Sequence, residues 1–76
     1  MSLSQIKIKS EIAGKVWKVE AKVGDTLEED DVILILESMK MEIPISVPVG
    51  CRLVELHVGE EDPVEEDQVV AIIEKI

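Results

Sequence analysis

Apolar and charged residues alternate in three stretches of this chain: Ile6 and Ile8 with Lys7 and Lys9; Val19, Ala21 and Val23 with Lys18, Glu20 and Lys22; and Val54, Leu56 and Val58 with Glu55 and His57. A period of two sends successive side chains to opposite faces, so each stretch predicts a half-buried β-strand. Residues 32–36 and 69–73 are unbroken apolar runs rich in β-branched side chains, too short for helices and predicted to be buried strands. No segment has a helical period. Between the strands stand Gly14, Gly24-Asp25, Gly50 and Gly59 and the acidic turns 28–31 and 65–67, which leave room only for short strands. Pro44 and Pro48 cannot donate to a ladder, so their segment belongs at a sheet edge or a bulge.

The pattern also occurs twice. Val23-Gly24 and the acidic run after it resemble Val58-Gly59 and its acidic run, with two extra residues in the second copy, and both copies pass through an apolar run to a glutamate, Glu37 or Glu74. Self-similarity of this kind marks one supersecondary unit used twice. Two units are too few for a solenoid and must close on each other. The expectation is an all-β fold of seven or eight short strands in two interlocked repeats, forming a single domain over residues 1–76.

Length and composition narrow this picture. At 76 residues a single core supplies only about 3–5 kcal/mol of net stability. With one Trp and neither Phe nor Tyr, that core is aliphatic and leaves little room for a deep cavity. The formal charge of −9 and the scattered basic residues argue against nucleic acid as a partner. Cys51 is the only cysteine, so no internal disulfide can form and a reducing compartment is expected, with Cys51 as a small core residue. There is no apolar run long enough to span a membrane, and Met1 to Gln5 lack the basic start of a leader; a cytoplasmic location is the simplest expectation.

Catalytic constellations are absent from the sequence. His57 stands alone and reads as an exposed strand residue, the carboxylates read as a solvated surface, and Trp17 reads as sheet surface. Lys40 differs in its position, between the end of one apolar run and the resumption of strand pattern at Ile43. Residues 38–42 should form the hairpin tip that joins the repeats and present the lysine amine on its four-carbon stem.

Glu37-Ser38-Met39-Lys40-Met41-Glu42 resembles the attachment motif of biotinyl carrier domains, in which a lysine between two methionines is modified. The resemblance covers nearly the whole chain, with a core at about 5–75. Residues 12–19 look like the entry strand and turn of those domains, and residues 23–27 like their repeated turn. It is particularly similar to the small free-standing biotin/lipoyl attachment proteins.

The resemblance implies a flattened β-barrel of two quasi-symmetric four-stranded halves, with the modified lysine on an exposed hairpin. It implies a non-catalytic carrier. A biotin protein ligase would join biotin to Lys40 through an amide, a biotin carboxylase would load a carboxyl group, and a carboxyltransferase would receive it. Glu37, Ser38, Met39, Met41 and Glu42 would form the recognition context. The methionines could pack on the barrel, face a ligase, or both.

A lipoyl carrier of the same fold and an unmodified interaction module are the alternatives; lipoyl domains usually flank their lysine with aspartate and alanine, which favours biotin here. The chain departs from the family at Asp30 and Asp67, where glycine is common, at Glu61 before Asp62, and at Gly50-Cys51, which is shifted by one position. Aspartate tolerates the left-handed conformation those turns need. No inserted thumb is visible between Gly24 and Val32.

A free lysine titrates near 10.4, so only about one amine in two or three thousand is neutral at pH 7. Attachment therefore needs a base and an activated acyl group from elsewhere.

Overall fold

The computed structural model describes residues 4–76 as eight strands with no helix. They are β1 (Gln5–Lys9), β2 (Gly14–Val19), β3 (Thr26–Leu27), β4 (Val32–Ser38), β5 (Met41–Ser46), β6 (Cys51–Leu56), β7 (Pro63–Val64) and β8 (Val69–Lys75). Met1 to Leu3, part of the segment read above for a leader, lie outside the described residues. All pairings are antiparallel, in two four-stranded sheets ordered β1-β8-β6-β3 and β5-β4-β2-β7. Each sheet takes two strands from each half of the chain, so the repeats interlock as expected.

The repeats superimpose by one constant displacement along the chain, the step from Gly14 to Cys51. It carries β2 onto β6, β3 onto β7 and β4 onto β8. The two residues thought to be extra in the second copy are therefore not an insertion. Val58-Gly59 is the counterpart of Ala21-Lys22, and Gly24 corresponds to Glu61.

Hydrogen bonds establish this register. The Asp25 carboxylate accepts from the Lys22 N–H at 2.9 Å, and Asp62 accepts from Gly59 at 2.8 Å. In the next turn Asp31 accepts from Glu28, and Gln68 from Glu65, each at 2.9 Å. Gly24 and Glu61 share a left-handed φ, 98° and 75°, as do Asp30 and Asp67, 72° and 68°. Every non-glycine departure at these turns thus keeps the left-handed geometry. Cys51, not Gly50, is the counterpart of Gly14.

Among the described residues fifteen hydrophobic side chains are buried in the core, including Val16, Leu34 and Leu36 of one sheet and Leu53, Val70 and Ile73 of the other. Cys51 is fully buried, as expected. Ser10 is a buried polar residue at the position matching Val47; its hydroxyl donates to the Ile12 carbonyl at 2.6 Å, so the polar group is not left unpaired. Pro44 lies in β5 and Pro63 in β7, the two edges of one sheet, where a missing donor costs no ladder bond. Pro48 falls in the bend after β5.

Alternation overreaches at the ends of β2 and β6. The chain leaves the ladder after Val19 and turns at Val23-Gly24, leaving Val23 59% exposed, while Ala21 and Val58 remain buried without being in a strand. His57 is exposed but lies just past the end of β6.

The described chain ends meet at one pole. The Lys75 N–H donates to the Ser4 carbonyl at 2.9 Å and the Ile76 N–H to Gly50 at 3.3 Å. From that pole β5 runs back to the β4–β5 turn at the opposite pole of a body 35 × 20 × 17 Å in extent.

Candidate functional site

The β4–β5 hairpin turns in two residues, Met39 and Lys40, tighter than the five-residue tip expected, because Ser38 and Met41 still pair in the ladder. Both turn residues are left-handed, with φ of 52° and 65°. Positive φ at both central positions is the mark of a type I′ turn, whose twist suits adjoining strands. Asn-Gly usually fills such a turn; here methionine and lysine bear the steric cost of their side chains.

Lys40 is exposed, and none of the ion pairs among the described residues includes it. Met39 is 90% exposed and Met41 63% exposed, so neither covers the barrel. The packing reading of the methionines is thereby corrected: a two-residue turn carries them past the ends of the inner faces.

Glu37 and Glu42 are opposed across β4 and β5, a destabilising juxtaposition of like charges. Lys15 stands opposite Glu37 on β2, yet its Nζ lies 3.0 Å from Glu61. The hydrogen bond to Glu61 and then its charge raise the Lys15 pKa, with a smaller contribution from Glu37. Neither Glu37 nor Glu42 has an ion-pair partner among the described residues. His57 belongs to the other sheet's end of the chain path and is held by Glu55 at 2.8 Å.

Gly14 secures the hairpin from below. A β-carbon there would lie 2.7 Å from the Glu37 carbonyl oxygen and 3.3 Å from the Ser38 Cβ. Sequence reading took Gly14 only as a turn signal and missed this close approach. Its one available signal was the contrast with Cys51 at the matching place in the repeat.

Among the described residues no group of three or more His, Cys, Asp or Glu is arranged to hold a metal. No helix is long and apolar enough to cross a membrane. The groove of about 630 Å³ between the edge strands β1 and β5 is lined by Ile6, Ile8, Ile43 and Ile45 among others, away from the turn. The hairpin's chemistry is that of an exposed amine with no ion-pair partner among the described residues. It suits covalent attachment of a cofactor, because Lys40 is exposed at the turn.

The site is thus one lysine at a tight, exposed turn of a barrel of interlocked β-repeats. Residues 5–73 match the family model described as "Biotin-requiring enzyme" (Biotin_lipoyl), and the chain belongs to that family. It is 43% identical over 60 residues to the biotin/lipoyl attachment protein of Bacillus subtilis, covering 79% of this chain and 82% of that protein. It is 39% identical over 67 residues to the urea amidolyase of Saccharomyces cerevisiae, covering 88% of this chain but only 4% of the larger protein. The Kluyveromyces lactis urea carboxylase structure is similar with a TM-score of 0.89 and 30% identity, over 96% of this chain and 6% of that one. As a family member the chain is a non-catalytic attachment carrier with the flattened, two-sheet barrel expected from the sequence.

Proposed function

We propose that the chain is a biotin carboxyl carrier, a single domain over residues 1–76 that works in the cytoplasm and is biotinylated on Lys40. The observation that carries this reading is the placement of Lys40: an exposed amine at a type I′ turn, framed by two exposed methionines, in a chain of the biotin-requiring family.

A biotin ligase supplies the base and the activated acyl group; the Lys40 nitrogen bonds to the acyl carbon, the bond to the activating group breaks, the base takes the proton, and the amine becomes a neutral amide. Bound biotin would supply a ring nitrogen able to accept and release a carboxyl group. Lys40 then serves as a flexible tether that keeps that ring at high effective concentration near successive enzymes. The rigid β4–β5 ladder holds the tether clear of the barrel. Biotin carboxylase and carboxyltransferase are the partners this role requires, and likeness to a urea carboxylase over nearly the whole chain supports a carboxylase setting.

Lipoate on the same lysine is the second reading, favoured by the likeness to a protein named for both cofactors. Intact mass after co-expression with a biotin ligase or a lipoate ligase distinguishes them. The expected result is one biotin per chain, with streptavidin capture abolished by Lys40→Arg, which keeps the charge but offers no usable amine. Continued capture of Lys40→Arg would place the attachment elsewhere.

A further inference from the structure

The interlocked repeats provide an internal control: each outward position on one sheet has a twin on the other. On the sheet bearing the hairpin, Pro44, Ile35 and Lys18 form a row beside the Glu42–Glu37–Lys15 row, with Trp17 next to Lys18. Trp17 sits at the bulge between Val16 and Lys18 and is 45% exposed. The same constant displacement puts Lys7 in place of Pro44 and Val54 in place of Trp17 on the other sheet. There Arg52 and Glu74 neutralise each other at 2.9 Å, whereas their twins Lys15 and Glu37 do not pair because Lys15 engages Glu61. One sheet presents Trp17, Ile35 and Pro44 beside Glu37 and Glu42, which have no ion-pair partner among the described residues, while its two lysines, Lys15 and Lys18, are engaged by Glu61 and Glu20. Its twin has smaller or charged groups and an internal ion pair. Isolated exposed hydrophobics are ordinary; a tryptophan and a proline on the hairpin's sheet, where the twin has valine and lysine, call for a partner.

We propose that this face, centred on Trp17 and flanked by Glu37 and Glu42, docks the ligase that acylates Lys40, through an apolar pocket with basic groups at its rim. The inference rests on Lys40 being the attachment site. It selects the ligase over the carboxylase enzymes by reach. Acylation requires the amine itself, on a four-carbon stem, to enter an active site, which brings the ligase body onto the hairpin and the sheet it extends. Pro44 lies four residues along β5 from Lys40, roughly 13 Å away. Enzymes acting on the finished tether reach its far end and need no such closeness. Half-buried tryptophans are characteristic anchors of protein interfaces.

Steady-state transfer by a biotin ligase, with biotin and MgATP and the full chain as varied substrate, tests the face. Trp17→Val installs the residue already present at the twin bulge, and melting followed by circular dichroism checks its fold. The expected result is a roughly tenfold rise in KM with kcat nearly unchanged. Pro44→Lys, which copies Lys7, should raise KM several-fold; Val54→Trp, on the other sheet, should leave it unchanged. An unaltered KM in folded Trp17→Val and Pro44→Lys, or an equal rise in Val54→Trp, would overturn the proposal. Failure of the unaltered chain to accept biotin on Lys40 would refute the attachment reading itself, and this face with it.

Discussion

Met39 and Lys40 both adopt left-handed backbone conformations that L-residues with long side chains seldom visit. The cost, about 1–2 kcal/mol per residue in this region, is borne where the hairpin must offer its lysine. Asparagine enters the left-handed region more readily and is common in type I′ turns. Met39→Asn should therefore raise stability by about 1 kcal/mol in urea unfolding, since the methionine contributes no buried surface. It should also slow biotin transfer if the exposed thioether is part of what a ligase reads. A variant that is no more stable would show that the turn tolerates methionine without strain; an undiminished transfer rate would show that hairpin shape is sufficient for recognition.

At the scale of strands and turns, β2 and β4 approach so closely at Gly14 that a methyl group has no place. Gly14→Ala should destabilise the domain by about 1–3 kcal/mol, as overpacking does, and shift the amide resonances of Glu37 and Ser38 in NMR spectra. A neutral effect would mean that the hairpin base is pliable.

Alternation and apolar runs revealed six of the strands, the edge position of Pro44 and the central hairpin, but not β3 and β7, whose two residues each are too few to show a period. The correspondence between repeats was harder to read, because Val23-Gly24 and Val58-Gly59 look alike while the structural equivalence follows hydrogen bonding. Asp25 and Asp62 cap the same turn, and Glu61 takes a left-handed position that glycine fills in the other repeat. Residue identity signals neither Glu61's conformation nor Lys15's preference for Glu61 over Glu37. The charge asymmetry beside the hairpin therefore emerges only when the two sheets are compared.

Across the whole molecule, the titration of two groups should be felt at alkaline pH. Burial, followed by the charge of Asp31, raises the Cys51 pKa, and Glu61 raises that of Lys15. Both groups hold their protons more tightly in the folded than in the unfolded chain. Their contributions are therefore intact below the unfolded pKa values and are lost as pH rises through the folded ones. Thermal midpoints should fall from about pH 9 upward, the region where an ordinary cysteine and then a lysine titrate. Cys51→Ala and Lys15→Met should each flatten that decline, whatever they do to the midpoint at neutral pH. An unchanged slope in both would assign the loss to general repulsion in a chain of net charge −9.

Because the two described chain ends close together at the pole opposite Met39 and Lys40, the place held by the turn in one half is held by the ends in the other. This arrangement makes the barrel insertable. A host polypeptide can arrive and depart through adjacent strands, β1 and β8, without crossing the lysine's approach. The same small unit can then stand alone or ride within a far longer multienzyme, its working tip always facing away from its covalent moorings.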